Sequence, residues 1–371
     1  MPHSSNDSRP ILITEIEGFG GAERSLVALS HWLYNRGFAN YLLTYFDHCN
    51  LARYATHPLT VVELKPKLGV RNKIASLRRH FNERGPSPIK PLLSGYQPAL
   101  HGALAGLRGA HCLMHDTASL LGTRNHRTAK QRLRTAVSNI IIGFGLRSGG
   151  KTIVTSEYLR SECCRDFGVD AEIVRMGGLG NLAPPRIRTV CGTLRMLSVS
   201  RIEHNKRLDW ILRSLAALEK SPVPLSMRAD WQLDLAGKGS LIQPLIEMAA
   251  ALGISSRVHF HGFLPDDALN RLYDQSHLFL MPAIQGYGIP AIESLQRGVP
   301  VLLHRESGVS DILMNTPWAT VLDGAESNML PAMEAAIDKA IEGKHRGIPL
   351  PHLPTEDDWA EQVASLCNWI G

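Results

Sequence analysis

The stretch MPAIQGYGIPAIESLQRGVPVLLH, residues 281–304, reads as the end of a short apolar strand, a turn, an amphipathic helix and a second apolar strand. Gly286 and Gly288 mark a backbone that bends sharply or lets another group come close. Pro290 suits the first turn of the helix. If both strands belong to a parallel sheet, the turn sits at their carboxyl ends, where α/β folds bind ligands.

Strand–helix alternation extends outward from this point in both directions. Upstream, RMLSVSRI, WQLDLAGKG, RVHFHGFL and HLFLMPAI read as strands, and downstream PVLLH and ATVLD do the same. Amphipathic segments such as RLDWILRSLAALEK, LIQPLIEMAAALG and DALNRLYDQS separate most of them. The first half repeats the scheme: PILITEI, then EGFGGAER, then the helical SLVALSHWLYNRG, with Gly37 placed to end it. YLLTYF, TVVEL, AHCLMHD and KTIVTSEY follow as strands. Between the halves, Gly and Pro cluster in GGLGNLAPPRIRTVCG, residues 177–192, the expected linker. The last segment, TEDDWAEQVASLCNWI, opens with the capping-box pattern Thr355 to Asp358. The expectation is therefore an α/β chain with two Rossmann-like doubly wound domains, residues 1–188 and 189–354, facing each other across an interdomain cleft, followed by a terminal helix in 355–371.

The chain of 371 residues is long enough for two cores, and its charged fraction of 20% is that of a globular protein. No apolar run nears the roughly 20 residues that span a bilayer, and MPHSSNDSRPILITEI lacks signal-peptide sections. Six scattered cysteines form neither a metal pattern nor a disulfide framework, so reduced thiols in a cytoplasmic protein are expected. Charge divides unevenly. Residues 1–190 hold 25 Lys+Arg against 13 Asp+Glu, and the remainder 15 against 21. The densest basic segment, KPKLGVRNKIASLRRHFNER at 65–84, is either a solvated helix or an attraction for an anionic membrane surface at which the protein would be peripheral. Nucleic acid is not expected, since no recognised binding motif accompanies the charge.

Four clusters fall on predicted carboxyl-end loops. Gly20, Gly21 and Glu23 open the first helix, where backbone amides could receive a phosphate or a sugar hydroxyl. His115 and Asp116 end the strand CLMHD; they could hold a hydroxyl or move a proton, or could be a packed His beside a helix-capping Asp. Arg201 and Lys206, five apart across a strand-to-helix loop, could stabilise a departing diphosphate, or could be two surface cations. In the opening stretch, the backbone at Gly286, Tyr287, Gly288 and Ile289 could meet an anion, and Glu293 could reach a diol such as a ribose. A buried structural carboxylate is the alternative for Glu293.

Taken in order, GGAERSLVALSHWL, SRIEHNKRLDWILRSL, LAGKGS, VHFHGFLPDDALNRLY and QGYGIPAIESLQRGVPVLLHRESGVSDIL resemble a retaining glycosyltransferase of family 4, with the GT-B fold. The resemblance implies transfer of a sugar from a nucleotide-diphosphate sugar to the hydroxyl of a glycan or lipid-linked acceptor, with retention, in polysaccharide or glycolipid assembly. It implies no metal and no cofactor beyond that co-substrate. Arg201 and Lys206 match the family's diphosphate-binding pair, and Glu293 the second glutamate of its E-x7-E motif, on the donor ribose. Gly20 and Gly21 match the glycine loop near the transferred sugar; His115 resembles a histidine near the sugar or acceptor, with Glu23 and Asp116 on the acceptor side. Phe263 and Leu264 match the region that receives the nucleobase. One position departs: Gln285 stands where the motif's first glutamate is expected. Its amide can hydrogen-bond sugar hydroxyls but carries no charge. Retained activity with altered donor preference, a nucleotide-sugar epimerase and a sugar-nucleotide-binding protein without turnover are the readings this leaves.

Overall fold

A computed structural model describes residues 7–116, 128–147, 149–177 and 188–370. The chain forms two compact units, one of residues 1–177 and 354–371, the other of 178–353. The sequence boundary at 188 lies further along, past residues 178–187, which fall outside the described ones.

In the N-terminal unit the strands are β1 (Arg9–Leu12), β2 (Glu15–Ile16), β3 (Asn40–Thr44), β4 (Phe46–Asp47), β5 (Val61–Glu63), β6 (Leu92–Ser94), β7 (His111–Met114), β8 (Thr152–Val154) and β9 (Glu172–Ile173). Seven of them form a parallel sheet in the order β5-β3-β1-β6-β7-β8-β9, while β2 pairs with β4. PILITEI and YLLTYF are therefore each broken in two, and the sequence reading missed the central β6. The first helix, Gly21–Asn35, buries Leu26, Leu29 and Leu33. Gly37 follows at φ +78° and donates to the Tyr34 carbonyl.

The final helix, Glu356–Leu366, also belongs to this unit. Its capping box forms as the sequence predicts: Asp358 N–H donates to Thr355 Oγ1 at 3.1 Å, and Thr355 N–H to Asp358 Oδ2 at 3.0 Å. Trp359 and Trp369 are each 1% exposed, and the Trp369 indole donates to the Lys90 carbonyl at 3.0 Å. Gly177 is pressed onto this helix start. A Cβ there would lie 2.0 Å from the Thr355 carbonyl carbon, so only glycine permits the approach.

The C-terminal unit contains β10 (Leu194–Val199), β11 (Trp231–Ala236), β12 (Val258–Gly262), β13 (Leu278–Met281), β14 (Val301–His304) and β15 (Ala319–Leu322). All pair in parallel, in the order β12-β11-β10-β13-β14-β15. Every residue of β13 and β14 is buried, as strands covered on both faces must be. Helices Leu208–Glu219 and Met329–Glu342 supply Ile211, Leu212, Leu215, Met333 and Ile337 to the core around Leu233, Leu280 and Leu302. Numbered from its own first strand, this sheet runs 3-2-1-4-5-6. Chain direction across it reverses between β10 and β13, and such a reversal opens a crevice at the strands' carboxyl ends.

Candidate active site

The loops leaving β10 and β13 meet at that reversal. Lys206 Nζ, from the first, donates to Gln285 Oε1, from the second, at 3.0 Å. Gln285 Nε2 lies 2.6 Å from Met281 Sδ, so the amide is held at both ends. The departure from the glutamate pattern thus sits against the cation expected to bind diphosphate. Arg201 is exposed at the start of the same β10 loop.

Close backbone contacts fix the β10 loop on its other side. A Cβ at Gly237 would fall 1.8 Å from the Ser200 carbonyl oxygen, and one at Gly239 would fall 2.1 Å from that of Ile202. Ser240 donates to Glu203 through its N–H at 3.0 Å and its Oγ at 2.7 Å. The LAGKGS motif therefore clamps the loop that bears Arg201 and Lys206.

The two glycines after β13 have a similar explanation. Gly288 lies at φ +128°, where a side chain is strained, and a Cβ there would be 2.7 Å from Met281 Cε. Gly286 is approached by Gly308, whose Cβ would lie 1.9 Å from the Gly286 carbonyl oxygen. Ser307 Oγ and Val309 N–H both donate to the Tyr287 carbonyl, at 3.0 and 3.2 Å. The turn 285–288 is thus shaped against the loop after β14, and Ile289 begins helix Ile289–Gln296 directly behind it.

Glu293, in that helix, is 7% exposed and its Oε2 accepts from the Tyr273 hydroxyl at 3.1 Å. Arg297 stacks over the same Tyr273 ring at 4.9 Å and donates to the Glu293 carbonyl at 2.9 Å. The carboxylate is therefore buried with a partner, one oxygen anchored before any ligand arrives. Phe263 presents 70% of its surface, with Lys238 Nζ 5.1 Å from its ring centre, and Leu264 is half-buried. An exposed ring at a strand's carboxyl end offers a stacking face to a planar base.

Arg207 escaped the sequence reading. It occupies φ +55°, with its guanidinium 4.2 Å over the Trp210 ring and its Nη1 3.4 Å from the Pro282 carbonyl. Burial lowers its proton affinity, and the charges of Glu306 and Asp209 oppose this. Its contact with Pro282 adds a second cation beside the β13 loop, after Lys206.

In the N-terminal unit, Gly20 precedes helix Gly21–Asn35, but its N–H donates to Glu23 Oε2 at 3.0 Å. Glu23 itself therefore occupies one of the amides expected to receive a ligand. His115, just after β7, is buried and shares a 2.9 Å hydrogen bond between its Nε2 and Ser94 Oγ, at the end of β6. Burial pulls its pKa down to about 4, against the pull of Asp116, so the ring is neutral near pH 7. Its Nδ1 has no hydrogen-bond partner among the described residues. A neutral imidazole of this kind suits a hydrogen bond to a hydroxyl better than proton transfer at neutral pH. Asp116 is exposed, and its expected role as a helix cap involves residues 117–127, which lie outside the described residues.

Comparison with known proteins agrees with this architecture. Residues 191–346 match the family model described as Glycosyl transferases group 1. The chain is 28% identical over 139 residues to a GDP-mannose-dependent alpha-(1-6)-phosphatidylinositol monomannoside mannosyltransferase of Mycolicibacterium smegmatis, which covers 35% of each chain. It is 32% identical over 132 residues to a D-inositol 3-phosphate glycosyltransferase of Nocardia farcinica, covering 35% of this chain and 29% of that one. The chain spans about a third of the length of the curated relatives it matches. Among solved structures, HepE of Anabaena in complex with UDP and glucose superposes with a TM-score of 0.70 at 16% identity, over 98% of this chain and 100% of that one. A lipopolysaccharide outer core galactosyltransferase in its apo form superposes with a TM-score of 0.67 at 15% identity, over 96% and 95%. Residues 191–346 are thus similar to the glycosyl transferases group 1 family, and the fold of the chain is that of the GT-B glycosyltransferases.

Proposed function

We propose that the protein is a retaining hexosyltransferase that moves a sugar from a nucleotide-diphosphate sugar to an acceptor hydroxyl, in cytoplasmic assembly of a cell-surface polysaccharide or glycolipid. The observation that carries this reading is the Lys206–Gln285 contact at the crevice between β10 and β13, where an open α/β sheet binds its ligand. In this reading the diphosphate lies against Lys206 and Arg201, the ribose reaches Glu293 and the base stacks near Phe263 and Leu264. The backbone at Gly286, Tyr287, Gly288 and Ile289 closes on the donor, and Gln285 hydrogen-bonds its sugar.

The acceptor hydroxyl attacks the anomeric carbon on the face from which the diphosphate departs. The bond to the leaving oxygen breaks as the new glycosidic bond forms, and the departing phosphate takes the hydroxyl proton. Negative charge grows on the diphosphate during this step, so Lys206 and Arg201 bind the transition state more tightly than the ground state. The reading requires no resident metal. Of the residues in the N-terminal unit, His115 offers a hydrogen bond from a neutral ring, Glu23 and Asp116 serve the acceptor, and Gly20 and Gly21 serve the transferred sugar of the donor.

Thermal unfolding with UDP, GDP, ADP and dTDP in parallel tests the donor site. A nucleotide at a hundredfold excess over its dissociation constant stabilises the folded state by about 2.7 kcal/mol. The expected result is a clear shift with one nucleotide, followed by turnover of the matching sugar donor. A flat response to all four would overturn the donor assignment. Binding without transfer or donor hydrolysis would favour a binding protein without turnover, with the uncharged Gln285 as its cause.

A further inference from the structure

Helix Ala129–Arg147 carries two apolar faces. Ile142 and Leu146 are buried on one side. On the other, Leu133, Val137, Ile140 and Phe144 are 67, 48, 68 and 64% exposed. Their spacing of four, three and four residues places all four within an arc of about 60°, along about 17 Å of helix. Ile142 lies roughly opposite that arc. Single exposed apolar residues are ordinary, but an ordered stripe of four marks a surface that meets something.

Charge identifies the occupant. The segment AKQRLRTAVSNIIIGFGLR contains no acidic residue, and Lys130, Arg132 and Arg134 are exposed around the amino-terminal end of the stripe. Among the described residues none of these three forms a salt bridge. A second copy of the same helix would bring like charges together. An anionic lipid surface instead matches both features, apolar side chains entering the headgroup boundary with cations beside them. We propose that this face of helix Ala129–Arg147 docks the protein on a bilayer bearing anionic lipids.

The basic segment 65–84 is less suited to that task. In its helix Val70–Arg84, Lys73 pairs with Glu15, Arg78 donates to the carbonyls of Leu104 and Ala105, and Arg84 donates to Tyr41 and the Ser8 carbonyl. Those cations secure the helix to its own unit.

Co-sedimentation of the full chain with vesicles of phosphatidylcholine, with and without phosphatidylglycerol, tests the inference. Binding is expected only with the anionic lipid and is weakened by salt. The double variant Ile140→Ser with Phe144→Ser should lose at least about tenfold in partition. Neutralising Lys130, Arg132 and Arg134 to Gln should lose about fivefold per charge. Arg71→Gln with Arg79→Gln, exposed on helix Val70–Arg84, should change partition little. Because the charge variant touches no packed side chain, it remains informative if the serine variant fails to fold. Equal binding by parent and both stripe variants would overturn the proposal. So would sedimentation velocity showing a dimer that Ile140→Ser with Phe144→Ser dissolves, without lipid binding by the parent.

Discussion

Lys206→Ala isolates the charge at the proposed donor site. Lys206 is half-buried, with Gln285 as a neutral partner. A phosphate about 4 Å from Nζ would be attracted by about 1 kcal/mol in bulk water and about 4 kcal/mol in a medium typical of protein surfaces. Hydrogen bonds to charged groups contribute about 1.5–3 kcal/mol. A loss of about 2 kcal/mol, or about thirtyfold in nucleotide affinity, follows. The effect on turnover should be larger, about 10²–10³-fold, because charge accumulates on the leaving group as its bond breaks. Stability should fall by only about 1 kcal/mol, since Gln285 loses one hydrogen bond and stays within reach of water. Titration calorimetry with the nucleotide that stabilises the parent, together with donor turnover, reads both quantities. An affinity within twofold of the parent and near-normal turnover would refute the role assigned to Lys206.

Gly308→Ala forces a methyl to within 1.9 Å of the Gly286 carbonyl oxygen unless the two loops separate. It should cost about 1–3 kcal/mol and weaken nucleotide binding by displacing the turn at 285–288; an unchanged melting temperature and affinity would refute the tight approach. Acidification should destabilise the protein between about pH 6.5 and 4. His115 is held neutral down to about 4 in the folded state, whereas an unfolded His takes its proton near 6.5. The unfolded chain therefore binds more protons in this window, and stability is complete above it and lost as pH falls, by up to about 3 kcal/mol for this residue. Burial lowers His101, His111, His277 and His304 in the same direction. Melting temperatures at stepped pH should decline, less steeply in His115→Gln; a flat profile from pH 6.5 to 5 would contradict the assigned burial.

How much of this was legible depended on whether a signal was local. The fully buried runs of β13 and β14 announced themselves, and their order of alternation gave the doubly wound class. β6 did not, because three residues between Pro91 and Gly95 are too short to show a period. Helix Ala129–Arg147 was missed for the opposite reason: apolar residues on two faces blur the single stripe by which amphipathic helices are recognised. In the site, Arg201 and Lys206 could be nominated from their places after a strand, and Gln285 only through the family motif from which it departs. The bond joining Lys206 to Gln285 spans 79 positions and leaves no local trace. Gly286 and Gly288 were correctly seen as a tight turn, yet the chain they yield to, Ser307–Gly308, lies some twenty residues on and was invisible. Arg207 carries no sequence sign of its φ +55°, a conformation where glycine is the ordinary choice. Glu23 lay three residues after Gly20, but as a ligand for that glycine's own amide it reverses the expected use of the helix start.

The chain departs from the N-terminal unit at Gly177 and re-enters it at Pro354, with Gly177 packed on the backbone of Thr355. The C-terminal unit is thus an insertion whose two ends are neighbours. During synthesis the ribosome releases the nine described strands of the first unit long before Trp359 and Trp369, which are buried in it. The unit begun first is therefore the unit finished last. The inserted sheet can close while its host still waits, its apolar surface under helix Glu356–Leu366 exposed to chaperones and proteases until residues 356–369 emerge.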